Sequence, residues 1–397
     1  MRIYFDNNAT TEIHPEVLAL LERELKTSFG NASSIHHEGQ RARRVLEGAR
    51  DSVSALIGAR GRDLVFTSGG TESNNSAIFG KALSAESGCH IVTTTIEHPS
   101  VSEPILELER RGHGVTRVPP DADGVISAAA IEDSLRSDTK LVVVMLANNE
   151  TGALQPVADV AKLCRPRQIH LHTDAVQACG KIAVDVEELG VDSLSLAAHK
   201  MHGPKGIGAL YVREGTKVAS FLVGGAQERR RRAGTENAPL AAAFGAAAGI
   251  ASLVESGTMA VLRDRIEVDL MQAFPVSTIN SGKTGRLPNT SNICFRDHDG
   301  ESIVIALDLA GIAVSTGSAC SSGRIEPSHV LIAMGLSEED ARSSVRISLS
   351  RLTTASQVET ALRTMRELIP RSARDWSGRE QSQPALGAVQ SLKHRKE

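Results

Sequence analysis

Short apolar runs alternate with longer stretches of helical period over the first two thirds of the chain. At 15–26, Val17, Leu18, Leu21 and Leu25 share one helical face, with Pro15 in the first turn. At 40–57, Val45, Leu46, Ala49, Val53, Leu56 and Ile57 repeat with the same period until Gly58 stops them. Leu64-Val65-Phe66, Ile91-Val92, Leu141 to Leu146, Ile169 to His172 and Leu194-Ser195-Leu196 read as strands. Helical stretches at 72–83, 99–111, 127–136 and 155–165 separate them. This alternation predicts an α/β fold, a mostly parallel central sheet with helices on both faces. The Ala/Gly-rich run Ala238 to Val254 reads as a buried helix.

The pattern changes after residue 257. Helical periods at 258–273, 300–310 and 355–369 mix with short strands at Ser291–Phe295 and Ser344–Leu349. The expected organisation is a large domain over 15–257 and a smaller α+β domain over 258–371, joined by residues 1–14. Residues 372–397 are polar and read as a poorly ordered tail.

The chemically capable residues follow the predicted strands. Gly70-Thr71, His98, Asn149, Asp174 and Lys200 each stand just past a strand end. In open α/β sheets ligands bind outside the carboxyl ends of the strands, so these residues are expected at one site.

Composition narrows the function. The 397 residues allow two or three domains, and 41% hydrophobic with 23% charged is ordinary for a globular protein. A net charge of −3 and only 3% aromatics argue against nucleic acid or an anionic membrane as a direct partner. The five cysteines are scattered and form no CxxC pair, so neither a disulfide framework nor a zinc ribbon is indicated. No signal-peptide pattern opens the chain and no apolar run reaches membrane-spanning length, so a cytoplasmic location is expected.

Ser68-Gly69-Gly70-Thr71-Glu72-Ser73 links a strand to a helix, a setting in which free N–H groups bind anions. Asp174 and Lys200 stand at successive strand ends. They read either as a salt bridge or as a pyridoxal phosphate site, the lysine holding the cofactor covalently and the carboxylate holding its ring nitrogen protonated. His98 reads as a ring-stacking, proton-moving group or as a helix cap. His170, His172 and Asp174 share a strand face, which leaves a metal triad or buried, satisfied polar groups as alternatives. Arg346 within a strand-like segment reads as a fork for a substrate carboxylate or as a structural ion pair. Arg229 to Arg232 read as loop positioning and phosphate contact. Cys320 lies among small residues, Ser318-Ala319-Cys320-Ser321-Ser322-Gly323, where a reactive thiol and an incidental one are both open. Cys89, Cys164, Cys179 and Cys294 lie in or beside regular elements and read as inert.

The chain resembles the cysteine desulfurases of the NifS/IscS type, within the class V aminotransferases of fold-type I pyridoxal phosphate enzymes. The matching segments are Tyr4 to Thr11, Ser68 to Asn75, Glu97-His98, Asn148-Asn149-Glu150, Asp174 to Gln177, His199-Lys200 with Gly203 to Gly208, Gly234 to Asn237, and Ser318-Ala319-Cys320 followed by Glu326 to Leu331. The resemblance implies that Lys200 holds pyridoxal 5'-phosphate, Asp174 pairs with its ring nitrogen, Gln177 meets its ring hydroxyl and His98 stacks on it. It implies phosphate contacts from Gly70, Thr71 and His199, with Thr235 reaching in from a second subunit of a homodimer. Asn149 and Arg346 would hold the carboxylate of L-cysteine. Cys320 would take the sulfur as a persulfide, leaving L-alanine, and pass it to an acceptor protein for iron–sulfur cluster assembly or thio-modification. Cys320 could also ligate iron–sulfur during transfer. A flexible segment suits a thiol that must visit two places.

Two departures stand out. Ala197 replaces the Ser or Thr with which many relatives bond the phosphate. The family's Gly-Gly-Gly-Gln-Glu-Arg-Gly reads here as Gly224-Gly225-Ala226-Gln227-Glu228-Arg229-Arg230, so extra basic charge could compensate for the lost donor. The rival readings are a selenocysteine lyase or another class V aminotransferase-like enzyme, a non-catalytic relative, and a metal-dependent hydrolase built on His170, His172 and Asp174.

Overall fold

A computed structural model describes residues 2–84, 88–251, 256–317 and 326–372; Cys320 and the polar tail beyond 372 lie outside the described residues. Twelve strands occur among the described residues: β1 Ile3–Tyr4, β2 Leu64–Thr67, β3 His90–Thr94, β4 Gly114–Val118, β5 Thr139–Val143, β6 His170–Asp174, β7 Ser193–Ala197, β8 Gly208–Val212, β9 Thr278–Asn280, β10 Thr290–Cys294, β11 Ile312–Ala313 and β12 Ser344–Ser348. Seven form the central sheet in the order β2-β8-β7-β6-β5-β3-β4. Of these only β8 runs against its neighbours, so the sheet is mixed, with six strands aligned.

Neighbouring residues of one strand feed opposite cores. Val92 and Val142 join a cluster with Val17 and Leu21 of α1 (Pro15–Thr27) and Leu46, Ala49 and Val53 of α2 (His37–Ala55). Ile91, Leu141 and Val143 join a second cluster, with Ile78 and Phe79 of α3 (Gly70–Ser84) and Val101, Ile105 and Leu108 of α4 (Pro99–Arg110). The period-two alternation of a strand thus seals both faces of the sheet. The Ala-rich run forms the helix Ala238–Ala251, which packs on α1 and α2. Small side chains permit that approach: a Cβ added to Gly245 would lie 2.9 Å from the Cα of Ala49.

A third cluster brings Ile3 and Phe5 together with Ile266, Leu270, Ile293, Ile303, Ile347 and Leu362. β1 pairs in parallel with β11, and β12-β10-β9 form an antiparallel sheet. Asn7 donates from Nδ2 to the carbonyl of Ser348 at 2.9 Å, which draws the first residues across the C-terminal third. No helix among the described residues is long and apolar enough to cross a membrane.

Candidate active site

The carboxyl ends of β2, β3, β5, β6 and β7 open on one cavity of about 280 Å³. Gly70, Thr71, His98, Asn149, Asp174, Gln177, His199 and Lys200 all line it, with Ala9, Ser100 and Val176 among the other walls. The residues that the strand-end pattern singled out therefore surround one space. Arg346 is buried nearby without lining it, and Thr235 is exposed elsewhere. Cys320 lies outside the described residues.

Lys200 follows β7 on a single 3-10 turn, Ala198–Lys200. Its Nζ donates to the carbonyls of Asn8 and Ala9 at 2.5 and 2.8 Å. Burial and the nearby Arg346 disfavour the ammonium, Asp174 and Asp6 offset part of this, and the amine is pushed down to about 8. Such an amine is far more often unprotonated near neutrality than a free lysine.

Asp174 ends β6 with its carboxylate fixed from two sides. Oδ2 accepts from Asn74 Nδ2 at 2.7 Å, and Oδ1 accepts from the backbone N–H of Val176 at 2.9 Å. Asn74 comes from α3 and distributes further bonds. Its Nδ2 also donates to Ser100 Oγ at 2.9 Å, and its Oδ1 faces His172 Nε2 at 3.0 Å. His172 Nδ1 and His170 Nε2 both meet Ser193 Oγ at 2.8 Å. The chain of donors runs one way, from His170 through Ser193 and His172 to Asn74 and Asp174, and neutral imidazoles satisfy every bond in it. Burial lowers His172 to about 3 and drives His170 well below the usual histidine range. Among the described residues no His, Cys, Asp or Glu group is arranged to hold a metal ion. The histidines here are spacers beneath a carboxylate.

His98 both caps α4 and faces the cavity. Its Nδ1 accepts from the N–H of Ser100 at 3.1 Å and meets Ser100 Oγ at 2.8 Å. With the Ser100 hydroxyl accepting from Asn74, its own proton points to His98 Nδ1. Neutral His98 then carries its proton on Nε2, and burial lowers its pKa, with Lys200 and His329 adding to the effect against Asp174. The cap and the cavity role coexist because the ring uses a different nitrogen for each. In this geometry Nε2 offers a proton; taking one up there requires the other tautomer and loss of the cap.

α3 begins at Gly70, so its first N–H groups lack intrahelical partners and point their dipole at the cavity rim. Glu72 in that first turn would repel an anion, but Arg232 clamps it at 2.8 and 3.1 Å. Burial raises the Glu72 carboxyl, and Arg232 with Ser68 outweighs it, holding it below the usual range. Arg232 therefore offsets the charge of the acidic residue in that first turn. Arg230 is exposed and does not line the cavity. Ala197 sits beside Gly70, its Cβ 3.7 Å from where a Gly70 Cβ would be. His199 is pushed down to about 4 by burial and by Lys200.

Asn8 joins the parts. Its carbonyl accepts from Lys200 and from Gln177 Nε2 (2.9 Å), its Oδ1 accepts from Lys181 Nζ (3.0 Å) and Asn289 Nδ2 (3.1 Å), and its Nδ2 donates to the Asn149 carbonyl (3.1 Å). Lys181 also donates to Gln177 Oε1 at 2.7 Å. Arg346 donates to the Asn149 carbonyl at 3.0 Å and to Asp6 Oδ1 at 2.7 Å, leaving Nε buried without a partner. The four described cysteines are buried, and burial pushes Cys164 and Cys179 up to about 12 and Cys294 to about 11. None can offer a thiolate near neutrality.

A profile of the family described as Aminotransferase class-V matches residues 3–361. The chain belongs to the class V aminotransferase family. Within that family it is 43% identical to a cysteine desulfurase IscS from Dictyoglomus turgidum over 371 residues, which covers 92% of this chain and 94% of that protein. A solved NifS-like protein superposes with a TM-score of 0.86 at 36% identity, covering 93% of this chain and 100% of that one. A structure of SspA in complex with cysteine follows with a TM-score of 0.79 at 35% identity, covering 88% and 99% of the two chains. The family read from the motifs is the family found over residues 3–361. Its fold is that of the fold-type I pyridoxal phosphate enzymes.

Proposed function

We propose that this class V aminotransferase family member is a pyridoxal phosphate-dependent cysteine desulfurase, converting L-cysteine to L-alanine with the sulfur retained on Cys320. The observation that carries this reading is the juxtaposition of Lys200, lowered to about 8, with the anchored Asp174 carboxylate across one cavity whose rim is a helix N-terminus. The donor set fits pyridoxal phosphate: an amine for the aldehyde, a carboxylate for the ring nitrogen, free N–H groups for the phosphate and an imidazole for the ring face. When bound, the cofactor supplies an electron sink for the substrate's α-carbon.

The chain's own residues do the rest. Lys200 holds the cofactor and moves the α-proton. Asp174, locked by Asn74 and Val176, favours a protonated ring nitrogen. Gly70, Thr71 and His199 receive the phosphate, joined by Thr235 of a second subunit in a homodimer. Asn149 and the fork of Arg346 orient the substrate carboxylate, and Gln177 stands at the ring hydroxyl. His98 covers the ring and offers the Nε2 proton. Overall the substrate's Cβ–S bond breaks, an S–S bond forms on Cys320, and L-cysteine plus the Cys320 thiol give L-alanine plus the Cys320 persulfide. An acceptor protein then removes the sulfur, for iron–sulfur cluster assembly or thio-modification. A cytoplasmic location and a two-domain division, with residues 1–14 joining 258–371, complete the proposal.

The purified protein is expected to be yellow and, with L-cysteine and a reductant, to release sulfide and alanine in equal amounts. Lys200→Ala should abolish both products. A yellow protein that releases neither would sink the reading.

A further inference from the structure

Glu150 is the residue after Asn149, yet it does not line the cavity. Its side chain turns into the protein, and the residue is 2% exposed. Its backbone is fixed: the N–H donates to Asn148 Oδ1 at 2.8 Å, and the carbonyl accepts from Asn292 Nδ2 at 3.2 Å. Its Oε2 accepts from the Ser328 hydroxyl at 2.5 Å. Ser328 is the N-cap of the helix His329–Ala333, where its Oγ also accepts from the Leu331 N–H at 3.2 Å. The same Oε2 lies against Gly317: a Cβ added there would stand 2.8 Å from it. Gly317 has φ +86°, a second reason for glycine at this place.

Gly317 and Ser328 lie on either side of residues 318–325, the segment that contains Cys320. One carboxylate oxygen therefore bonds the Ser328 side of that segment and leaves room for no side chain at Gly317. Further ties hold the same ground. Ser315 exchanges backbone bonds with Arg346, and His329 Nε2 lies 3.1 Å from the Glu97 carbonyl.

We propose that Glu150 is a positioning residue for sulfur transfer: through Ser328 it pins the C-terminal stem of the Cys320 segment beside Asn149 and so limits the thiol's reach. This rests on the assignment of Cys320 as the sulfur acceptor. The argument is one of length. Cys320 is three residues past Gly317, and three extended residues span about 10 Å at most, so the place of Gly317 bounds where the thiol can be. Freeing the Ser328 stem loosens the tether and dilutes the thiol at the cavity. A buried bond from Ser328 holds one stem, and the Ser315–Arg346 backbone bonds, with the Gly317 N–H donating to Ser315 Oγ at 3.1 Å, hold the other. Through Asn149 the same loop also faces the substrate, so cavity and tether share one anchor.

The test separates positioning from general damage. In Glu150→Ala and Ser328→Ala, the appearance of persulfide on Cys320 should slow about tenfold or more, while the first absorbance change on adding L-cysteine keeps its rate within about twofold. Glu150→Gln, which keeps an acceptor oxygen, should recover most of the persulfide rate. In the purified holoproteins the Leu331 amide should exchange hydrogen faster in Glu150→Ala than in the wild type. Wild-type persulfide rates in both alanine variants, equal slowing of the absorbance change, or unchanged exchange at Leu331 would each overturn the proposal. If the wild-type protein itself places no sulfur on Cys320, the assignment of Cys320 fails, and the exchange measurement still decides whether Glu150 pins the stem.

Discussion

At the scale of single residues, Lys200 is where burial and the cation Arg346 act together against a proton. Below pH 8 the amine is mostly protonated and cannot attack an aldehyde. The rate of cofactor attachment to the apoprotein should therefore rise with pH to a half-point at about 8. An ordinary lysine would place it near ~10.4. Arg346→Gln removes a cation and should move the half-point upward; absorbance mixing experiments across pH check both. Ala197 allows a second test. A serine hydroxyl there would stand beside the start of α3, and one added bond is worth about 1 kcal/mol. Ala197→Ser is thus expected to tighten pyridoxal phosphate binding roughly fivefold, read from release rates; weaker binding would contradict the placement. Lys200, Asp174 and His98 were legible in the sequence because ionisable residues after apolar runs are conspicuous. Asn8, Asn74, Ser100 and Lys181 were not, since an amide or hydroxyl gains meaning only from what the fold brings beside it. The run Asp6-Asn7-Asn8 within a matched segment was the one available signal for Asn8.

At the scale of elements, five strands of the central sheet, β2, β3, β5, β6 and β7, were readable from their apolar runs, and its other two, β4 and β8, were not. β4 carries Thr116 and Arg117 on an edge and is mostly half-buried, so it lacks an apolar run. β8 follows directly on the Gly/Pro loop after Lys200, and its apolar residues were absorbed into that loop. The turn around Glu228 is also invisible in the sequence. Glu228, Arg229 and Arg230 all have positive φ, +44°, +56° and +66°. The buried Glu228 holds this turn with Arg50 at 2.7 and 2.9 Å and with the N–H of Phe66 at 3.0 Å. Arg230 occupies a backbone conformation that suits glycine, and an L side chain there costs about 1 kcal/mol. Arg230→Gly should raise the melting temperature while leaving cofactor affinity unchanged, because Arg230 is exposed and away from the cavity. Loss of cofactor affinity in that variant would instead show the compensating role that the extra charge suggested.

At the scale of the whole molecule, buried ionisable groups shape how stability depends on pH. Burial pushes Glu97 up to about 8, although Thr94 and the Met145 N–H bond to it. The folded protein thus keeps this proton between about pH 4.5 and 8, while the unfolded chain loses it, so stability falls as pH rises through that window. Glu97→Gln removes the effect. Its advantage over the wild type should be absent near pH 4.5 and grow by up to about 1.4 kcal/mol per pH unit toward pH 8, measured by denaturant unfolding. His170 and His172 act in the opposite sense: they stay neutral when folded, so stability is lost as pH falls below about 6.5. The association of Ile3 and Phe5 with the C-terminal third was legible only as a change of pattern at 257, because a pairing across three hundred residues leaves no local period. The central claim concerns a thiol, and one measurement addresses it: mass spectrometry of the protein after a single turnover with L-cysteine, with each cysteine mapped. The account requires one added sulfur on Cys320 with one alanine released, and neither in Cys320→Ala. Sulfur on any of the four buried cysteines, or alanine formed by Cys320→Ala at the wild-type rate, would contradict it.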